Sequence, residues 1–216
     1  MPHPAREVER KERDAVLNEY SRLAPVYDKR WSFYIEATTR ATMARLSPPP
    51  NARVLDVGCG TGVLLQELAR EFPQVSLVGL DPVPEMLAVA RSRVPPGTEL
   101  HEGWAEELPF ADGHFDVVVS CNVLHYIRRP VPALMEVRRV LRPGGEVVIT
   151  DWCADYLTCR ICDGCLRLFR PAHFKVYGVR ELLRLLEQAG HLHAQIERYK
   201  INWLWGLMTA RSIKYA

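Results

Sequence analysis

The stretch VLDVGCGTGVL, Val54 to Leu64, sets an apolar run carrying one acid, Asp56, directly before three alternating glycines, Gly58, Gly60 and Gly62. The run reads as a short buried strand. The glycines let the main chain turn sharply and approach a ligand with no Cβ in the way. GVLLQELAREF follows with helical apolar spacing at Val63, Leu64, Leu68 and Phe72. The turn therefore presents the free N–H groups and positive end of a helix to whatever binds there. A dinucleotide-binding turn has the spacing G-x-G-x-x-G. Here the third glycine arrives one residue early and Val63 holds the fingerprint position, which argues against a nicotinamide or flavin cofactor. A glycine-rich turn with no ligand is the alternative for this stretch alone. Cys59, wedged between two glycines, reads as a spacer, with no base in view to activate its thiol.

Outward from this stretch the chain alternates. VSLVGLD reads as a second strand, PEMLAVARSRV as a helix with Pro84 in its first turn, TELHEGW as a third strand and the valine-rich FDVVVSC as a fourth. ALMEVRRVL reads as a helix stopped by RPGG, and EVVITDW as a fifth strand. Strands alternating with helices predict an α/β fold, a mostly parallel sheet with helices on both faces. VRELLRLLEQAG predicts a further helix ending at Gly190. HAQIERYK and NWLWGLMTARSI complete seven strands as an antiparallel C-terminal hairpin at one sheet edge, with Trp203 and Trp205 on one strand face, packed against a helix. The first forty-odd residues read as helical, with aromatics at Tyr20, Tyr27, Trp31, Phe33 and Tyr34, and end at SPPP, Ser47 to Pro50. The expected organisation is a helical N-terminal lid over residues 1–50 and a core over 51–216, with an inserted helical cap at about 153–177.

The 216 residues suffice for one large domain or a domain with a lid. A net charge of +2 gives no reason to expect nucleic acid. No stretch approaches the ~20 apolar residues of a membrane span. The opening MPHPAREVERKERD lacks an apolar segment, so no secretory signal is expected and the location expected is cytoplasmic. The six cysteines should then be thiols.

In such a sheet, ligands bind beyond the carboxyl ends of the strands, where strand order reverses. Asp81, after the second strand, suits both hydroxyls of a ribose; capping the next helix is its other reading. Met86 on that helix suits an adenine face, or simply the core. EGWAEELPF, SCNVLHYI and TDWC follow the third, fourth and fifth strands.

VLDVGCGTG, VGLDPVPEML, EGWAEELPFADGHFDVVVSCNVLHYI and LRPGGEVVITD together resemble, in order and spacing, the successive motifs of class I S-adenosylmethionine-dependent methyltransferases, nearest to the ubiquinone/menaquinone-biosynthesis-like small-molecule group. The resemblance implies a Rossmann-like fold and S-adenosylmethionine as cofactor. It implies that Asp56, Gly58, Gly60 and Gly62, with Cys59 between them, hold the methionine end. It places Asp81 on the ribose, Pro82 and Met86 beside the adenine, and the Ala105 N–H on the ring. It sets Cys121 and Asn122 along the methionine and sulfonium. In YSRLAPVYD it nominates Tyr27 as a residue closing over the cofactor. Relatives often carry Gly-Asp-Ala where this chain has Gly103-Trp104-Ala105, so Trp104 packs on the ring or Glu106 supplies the missing acceptor.

Methyl transfer from a sulfonium needs alignment and water exclusion, and a base only where the acceptor loses a proton. His125 is the candidate base, a helix-start histidine bonded to backbone its other reading. Tyr126 reads as packing. Asp151 orients an acceptor or caps the next helix. The segment DWCADYLTCRICDGCLRLFRPAHFKVY carries Cys153, Cys159, Cys162 and Cys165. These are small apolar side chains in a lid helix, with Cys159 and Cys162 sharing a face, or a soft-ion site. Arsenite methyltransferases also gather cysteines at the acceptor, so methylation of a thiol or metalloid is an alternative. A zinc site lacks its second Cys-x-x-Cys pair, and no metal is expected. Arg167, Arg170, His173 and Lys175 either recognise an anionic acceptor or form a solvated lid face. The expected protein is a small-molecule methyltransferase, monomer or homodimer. The alternatives are a non-catalytic cofactor-binding regulator and an enzyme acting on nucleic acid or protein.

Overall fold

The computed structural model describes residues 4–215. Two helices come first, α1 (Pro4–Leu23) and α2 (Tyr27–Met43). The alternating core follows: β1 (Arg53–Val57), α3 (Val63–Glu71), β2 (Ser76–Asp81), α4 (Pro84–Arg93), β3 (Glu99–Glu102) and β4 (Phe115–Cys121). A 3-10 turn at Leu124–Tyr126 leads to α5 (Pro130–Val140), β5 (Leu141–Trp152), α6 (Leu157–Phe169), α7 (Val179–Gln188), β6 (Gln195–Lys200) and β7 (Gly206–Ile213).

The seven strands lie in the order β3-β2-β1-β4-β5-β7-β6. β1 to β5 are parallel, and β7 runs antiparallel to both β5 and β6. Strand order reverses between β1 and β4, so the crevice of the sheet opens there. Successive residues of a strand face opposite sides. Leu55, Val57 and Val118 therefore join a core under α5 and α7, whereas Val54, Val117 and Val119 join one under α3 and the end of α2. Leu65 and Leu68 of α3 are fully buried, each contributing about 1.5–3 kcal/mol.

Two local readings change. RPGG does not stand outside the strand: β5 begins at Leu141, directly after α5. Pairing jumps from Phe115↔Leu141 to Val117↔Glu146, and Lys214 bonds both sides of the irregular stretch, through Gly144 N–H (2.7 Å) and the Gly145 carbonyl (2.8 Å). The C-terminal strand, in turn, starts later than the sequence suggests. The Asn202 carboxamide accepts from the backbone N–H of Leu204 (2.8 Å) and of Trp205 (2.7 Å), a side-chain turn that competes with strand pairing. Trp203 and Trp205 consequently leave the strand and part company: Trp203 is exposed, and Trp205 packs beside Tyr34 and Trp152. Among the described residues, no helix is long and apolar enough to cross a membrane.

Candidate active site

β1 delivers the glycine turn to the crevice. Gly58 and Cys59 donate their N–H groups to the Leu80 carbonyl (2.7 and 3.0 Å), clamping the turn onto β2. Gly58 has φ +76°, and a Cβ there would lie 2.3 Å from Val123 Cγ2, so only glycine fits. At Gly60, φ +52°, no atom lies within 4 Å of where a Cβ would be; the turn faces open space. Gly62 faces elsewhere. A Cβ on it would meet Ala90 and Val94 of the α4 region, so it sets helix packing. Cys59 points into the core, its sulfur close against Gly79, and burial raises its thiol pKa.

Asp81 ends β2 and joins both turns. Its Oδ2 accepts from Gly60 N–H and its Oδ1 from Val83 N–H, each at 2.9 Å. The residue capping α4 is Val83, so the helix-cap reading of Asp81 gives way to this cross-link. Burial pushes its carboxyl up to about 6, against the pull of the two N–H groups. Asp56 is enclosed further, 2% exposed. Burial, and secondarily the charge of Asp81, pushes it up to about 8.

An unfolded aspartate titrates near 4, so the folded chain holds the Asp56 proton more tightly. Stability from this group is full below about pH 4 and is lost as pH rises through about 8. Asparagine at 56 is expected to remove that slope. Melting curves of Asp56→Asn and wild type should diverge between about pH 5 and pH 9, with the variant the more stable at the alkaline end. Parallel curves would remove the assignment.

Across the crevice lies a cavity bounded by Asp81, Pro82, Met86, Trp104 and Ala105 on one side and by Tyr27, Cys121 and Asn122 on the other. Arg13 lies over the Trp104 ring at 4.8 Å. A second cavity adjoins it beneath α1, α2 and α6, lined by aromatic rings, among them Tyr34, Trp152 and Trp205. Tyr20, Tyr27, Asn122 and Tyr126 line both. Asn122 is held in the left-handed region, φ 62°, which is uncommon for a side chain and marks a constrained site. The constraint is visible: its backbone N–H donates to the Thr150 carbonyl (2.8 Å), its Nδ2 to Thr38 Oγ1 (2.9 Å), and its Oδ1 accepts from the Tyr34 hydroxyl. Burial pushes the neighbouring Cys121 thiol up to about 12.

His125 lies in the 3-10 turn after β4 and lines the second cavity. Its Nδ1 meets Asp151 Oδ1 at 2.6 Å, both side chains almost fully enclosed. Asp151 sits within β5 and caps no helix; it accepts from the N–H groups of His125 (3.2 Å) and Trp152 (2.6 Å) as well. With Nδ1 occupied, Nε2 is the nitrogen left for a proton. A second histidine, His173, lines the same cavity 5.3 Å from the His125 ring, its Nε2 on Asp163 Oδ1 at 2.9 Å. Burial lowers its pKa. Of the cations in the lid segment, only Arg170 reaches this cavity, and it pairs with Glu19 (2.7 Å). Lys175 pairs with Glu181 and Arg167 with Asp163.

The cysteines do not gather. Cys153 is enclosed at the end of β5. Cys159 Sγ exchanges 3.3 Å contacts with the carbonyl and N–H of Gly206. Cys162 packs among aromatics and Cys165 is exposed. Burial raises the thiols of Cys153 (to about 11), Cys159 and Cys162, away from the thiolate that binds soft ions. Among the described residues, no three His, Cys, Asp or Glu side chains are placed to hold a metal ion.

The sequence reading missed Asp28, next to the nominated Tyr27. Its Oδ1 accepts from Thr61 Oγ1 (2.7 Å) and its Oδ2 from Arg93 (2.5 Å), which also donates to the Thr61 carbonyl (2.6 Å). This latch ties α2 to the glycine turn, and the adjacent Tyr-Asp pair was its only local signal.

Residues 55–149 match a family model described as a methyltransferase domain. The chain is 34% identical over 152 residues to a demethylmenaquinone methyltransferase from Chlorobaculum parvum, covering 67% of this chain and 62% of the relative. It is 38% identical over 145 residues to a phosphatidylethanolamine N-methyltransferase from Cereibacter sphaeroides, covering 65% and 69%. It spans less than two thirds of most of the curated relatives it matches. The fold superposes on a methyltransferase in complex with the activator Trm112 from Haloferax volcanii with a TM-score of 0.81, at 20% identity, over 92% of this chain and 98% of that one.

Proposed function

This chain belongs to the class I S-adenosylmethionine-dependent methyltransferases, in the ubiquinone/menaquinone-biosynthesis-like group, and on that premise we propose that it methylates a flat, apolar small molecule bearing a weakly acidic hydroxyl, with His125 as the base. S-Adenosylmethionine is its methyl donor. The residues present fit that donor: open space at Gly60, a buried carboxylate at the end of β2, and an apolar slot at Met86 and Ala105. Tyr27, Asp56, Gly58, Gly60, Cys121 and Asn122 would hold its methionine end, Asp81 the ribose, and Pro82, Met86, Trp104 and Ala105 the adenine. Bound there, it supplies a methyl group already activated on a sulfonium.

The chain's own task is then to align the acceptor, exclude water and take a proton. The observation that carries the reading is His125, paired behind with Asp151, in the wall of a cavity sharing four residues with the donor cradle. Tyr20 and Tyr126 meet edge to face, ring centroids 5.3 Å apart, at that shared wall, and would keep water from the reacting atoms. Aromatic walls suit a flat acceptor. They would also suit an ammonium, but a desolvated ammonium wants a carboxylate, and Glu19, Asp151 and Asp163 are each engaged by Arg170, His125 and His173. Residues 1–50 would act as a lid on the donor, and the cap at 153–177 as the roof of the acceptor cavity.

A screen of phenols, quinols, amines, thiols and arsenite, read by release of the demethylated donor, tests this. Turnover of phenols or quinols is expected to exceed that of amines and thiols by at least about tenfold, since a site built for a hydroxyl rejects acceptors lacking it. Preference for amines would overturn the hydroxyl reading and leave methyl transfer standing. Methylated arsenic would restore the cysteine alternative.

A further inference from the structure

α6 has an outer face that the fold leaves bare. Leu157, Ile161, Leu168 and Phe169 are 69, 59, 80 and 79% exposed. At about 100° per residue, Leu157, Ile161, Cys165 and Leu168 fall on one side of the helix, with Phe169 at its margin. Scattered exposed apolar residues are ordinary, but a contiguous arc of this kind marks an interaction surface. The inner side is ordered differently. Cys159 is buried there, Leu166 reaches the acceptor cavity, and Asp163 turns in to His173 and the Val176 N–H.

The charge of the outer face has one sign. The exposed charged residues on α6 are Arg160 and Arg167, which edge the apolar arc on one side, and the helix's one acid, Asp163, turns inward and meets Arg167 only at 3.8 Å. Trp203, 79% exposed, lies at the start of the same helix, where Thr158 Oγ1 donates to the Leu204 carbonyl (2.5 Å). An amphipathic helix with arginines at its polar edge and a tryptophan beside it has the composition of a helix lying in a lipid interface. A second copy of this chain fits worse, since an antiparallel two-fold contact through α6 would bring the arginine edges of the two copies together.

We propose that the outer face of α6, with Trp203, seats this protein on an anionic phospholipid bilayer, laying the helix that borders the acceptor cavity against the membrane surface. The docking rests on α6 and Trp203 alone. Only its use, drawing an apolar acceptor from the bilayer, rests on the acceptor reading above.

Flotation of the full chain with vesicles tests it. One set is phosphatidylcholine alone, and the other contains about one third phosphatidylglycerol. The wild-type chain is expected to float with the anionic set and not with the neutral one, and to be released several-fold as salt rises from about 0.1 M to about 0.5 M. Leu168→Glu with Phe169→Glu should lower the partition coefficient at least about tenfold. Arg160→Gln with Arg167→Gln should lower it several-fold on anionic vesicles only. Donor affinity, measured by calorimetry on each variant, should not change, which separates docking from the donor site and reports folding. If the glutamate pair disturbs folding, the arginine pair still decides. A wild-type chain that stays with the unbound protein, or variants that float like wild type, would overturn the proposal. So would a dimer in sedimentation that the glutamate pair dissolves, which would give the face to a second copy.

Discussion

Alanine at Asp81 is expected to weaken donor binding by at least about a hundredfold, because two charge-assisted hydrogen bonds at about 1.5–3 kcal/mol each would be lost together. The Asp81 carboxylate already binds both turns of the cradle, through the N–H groups of Gly60 and Val83. Alanine would leave those two donors unpaired at the floor of the site as well as remove the partner proposed for the ribose. Asp81→Asn separates the effects. Its carboxamide can accept from one N–H but presents an NH2 to the other, so the turn keeps half its tether while the charge is gone. Affinity should then fall between wild type and alanine, with the melting temperature closer to wild type. The wild-type pH profile gives an independent check. Burial pushes the Asp81 carboxyl to about 6, so the anionic form, and with it donor affinity, should decline as pH drops through about 6. That inflection should vanish in both variants. Calorimetric titration reads all three, and an unchanged affinity in Asp81→Ala would refute the ribose role.

The parts of the fold legible in the sequence were those written locally. The glycine turn, the run of valines in β4, Pro84 at the first turn of α4 and Gly190 (φ 83°) just past the end of α7 each carry their geometry in adjacent residues. The acceptor cavity was not local. Tyr34 and Asn122 are 88 positions apart, Tyr34 and Trp152 are 118 apart, and the hydrogen bonds that join them exist only once α2 lies across the ends of β4 and β5. Nothing around Tyr34 distinguishes it from the other aromatics of that segment. Trp205 failed for a different reason. Alternation made it a strand residue, and one carboxamide at Asn202 bent the chain and turned it into the cavity wall. His125 and Asp151 were each visible as strand-end residues. Their pairing depended on β4 and β5 being neighbours in register, Cys121 beside Thr150, which periodicity does not reveal.

That pairing makes the second large effect separable from donor binding. Replacing His125 by alanine is expected to lower kcat by about a hundredfold to ten-thousandfold, the range for loss of a positioned base, with donor affinity unchanged because His125 lies outside the donor cradle. Asp151→Asn is the informative partner. Asparagine with its oxygen at the Oδ1 position can still accept from the Trp152 N–H but presents an NH2 to the His125 backbone N–H at the Oδ2 position, so β5 keeps one of the two tethers. It can also still accept from His125 Nδ1, but it no longer carries the charge that stabilises an imidazolium, so kcat should fall by less than in His125→Ala. If the two act as a unit, adding Asp151→Asn to His125→Ala should cost almost nothing further, a coupling nearly as large as the smaller single effect. Donor affinity, in contrast, should stay at the wild-type value in both single variants and in the double variant, because neither side chain lines the donor cradle. A structural role for the pair would lower the melting temperature and leave the single-turnover rate near wild type. Single-turnover rates and melting curves of the two single variants and the double variant distinguish the two. A kcat for His125→Ala within a few-fold of wild type would mean that the acceptor arrives already deprotonated, or needs no proton removed, and that the cavity works by alignment alone.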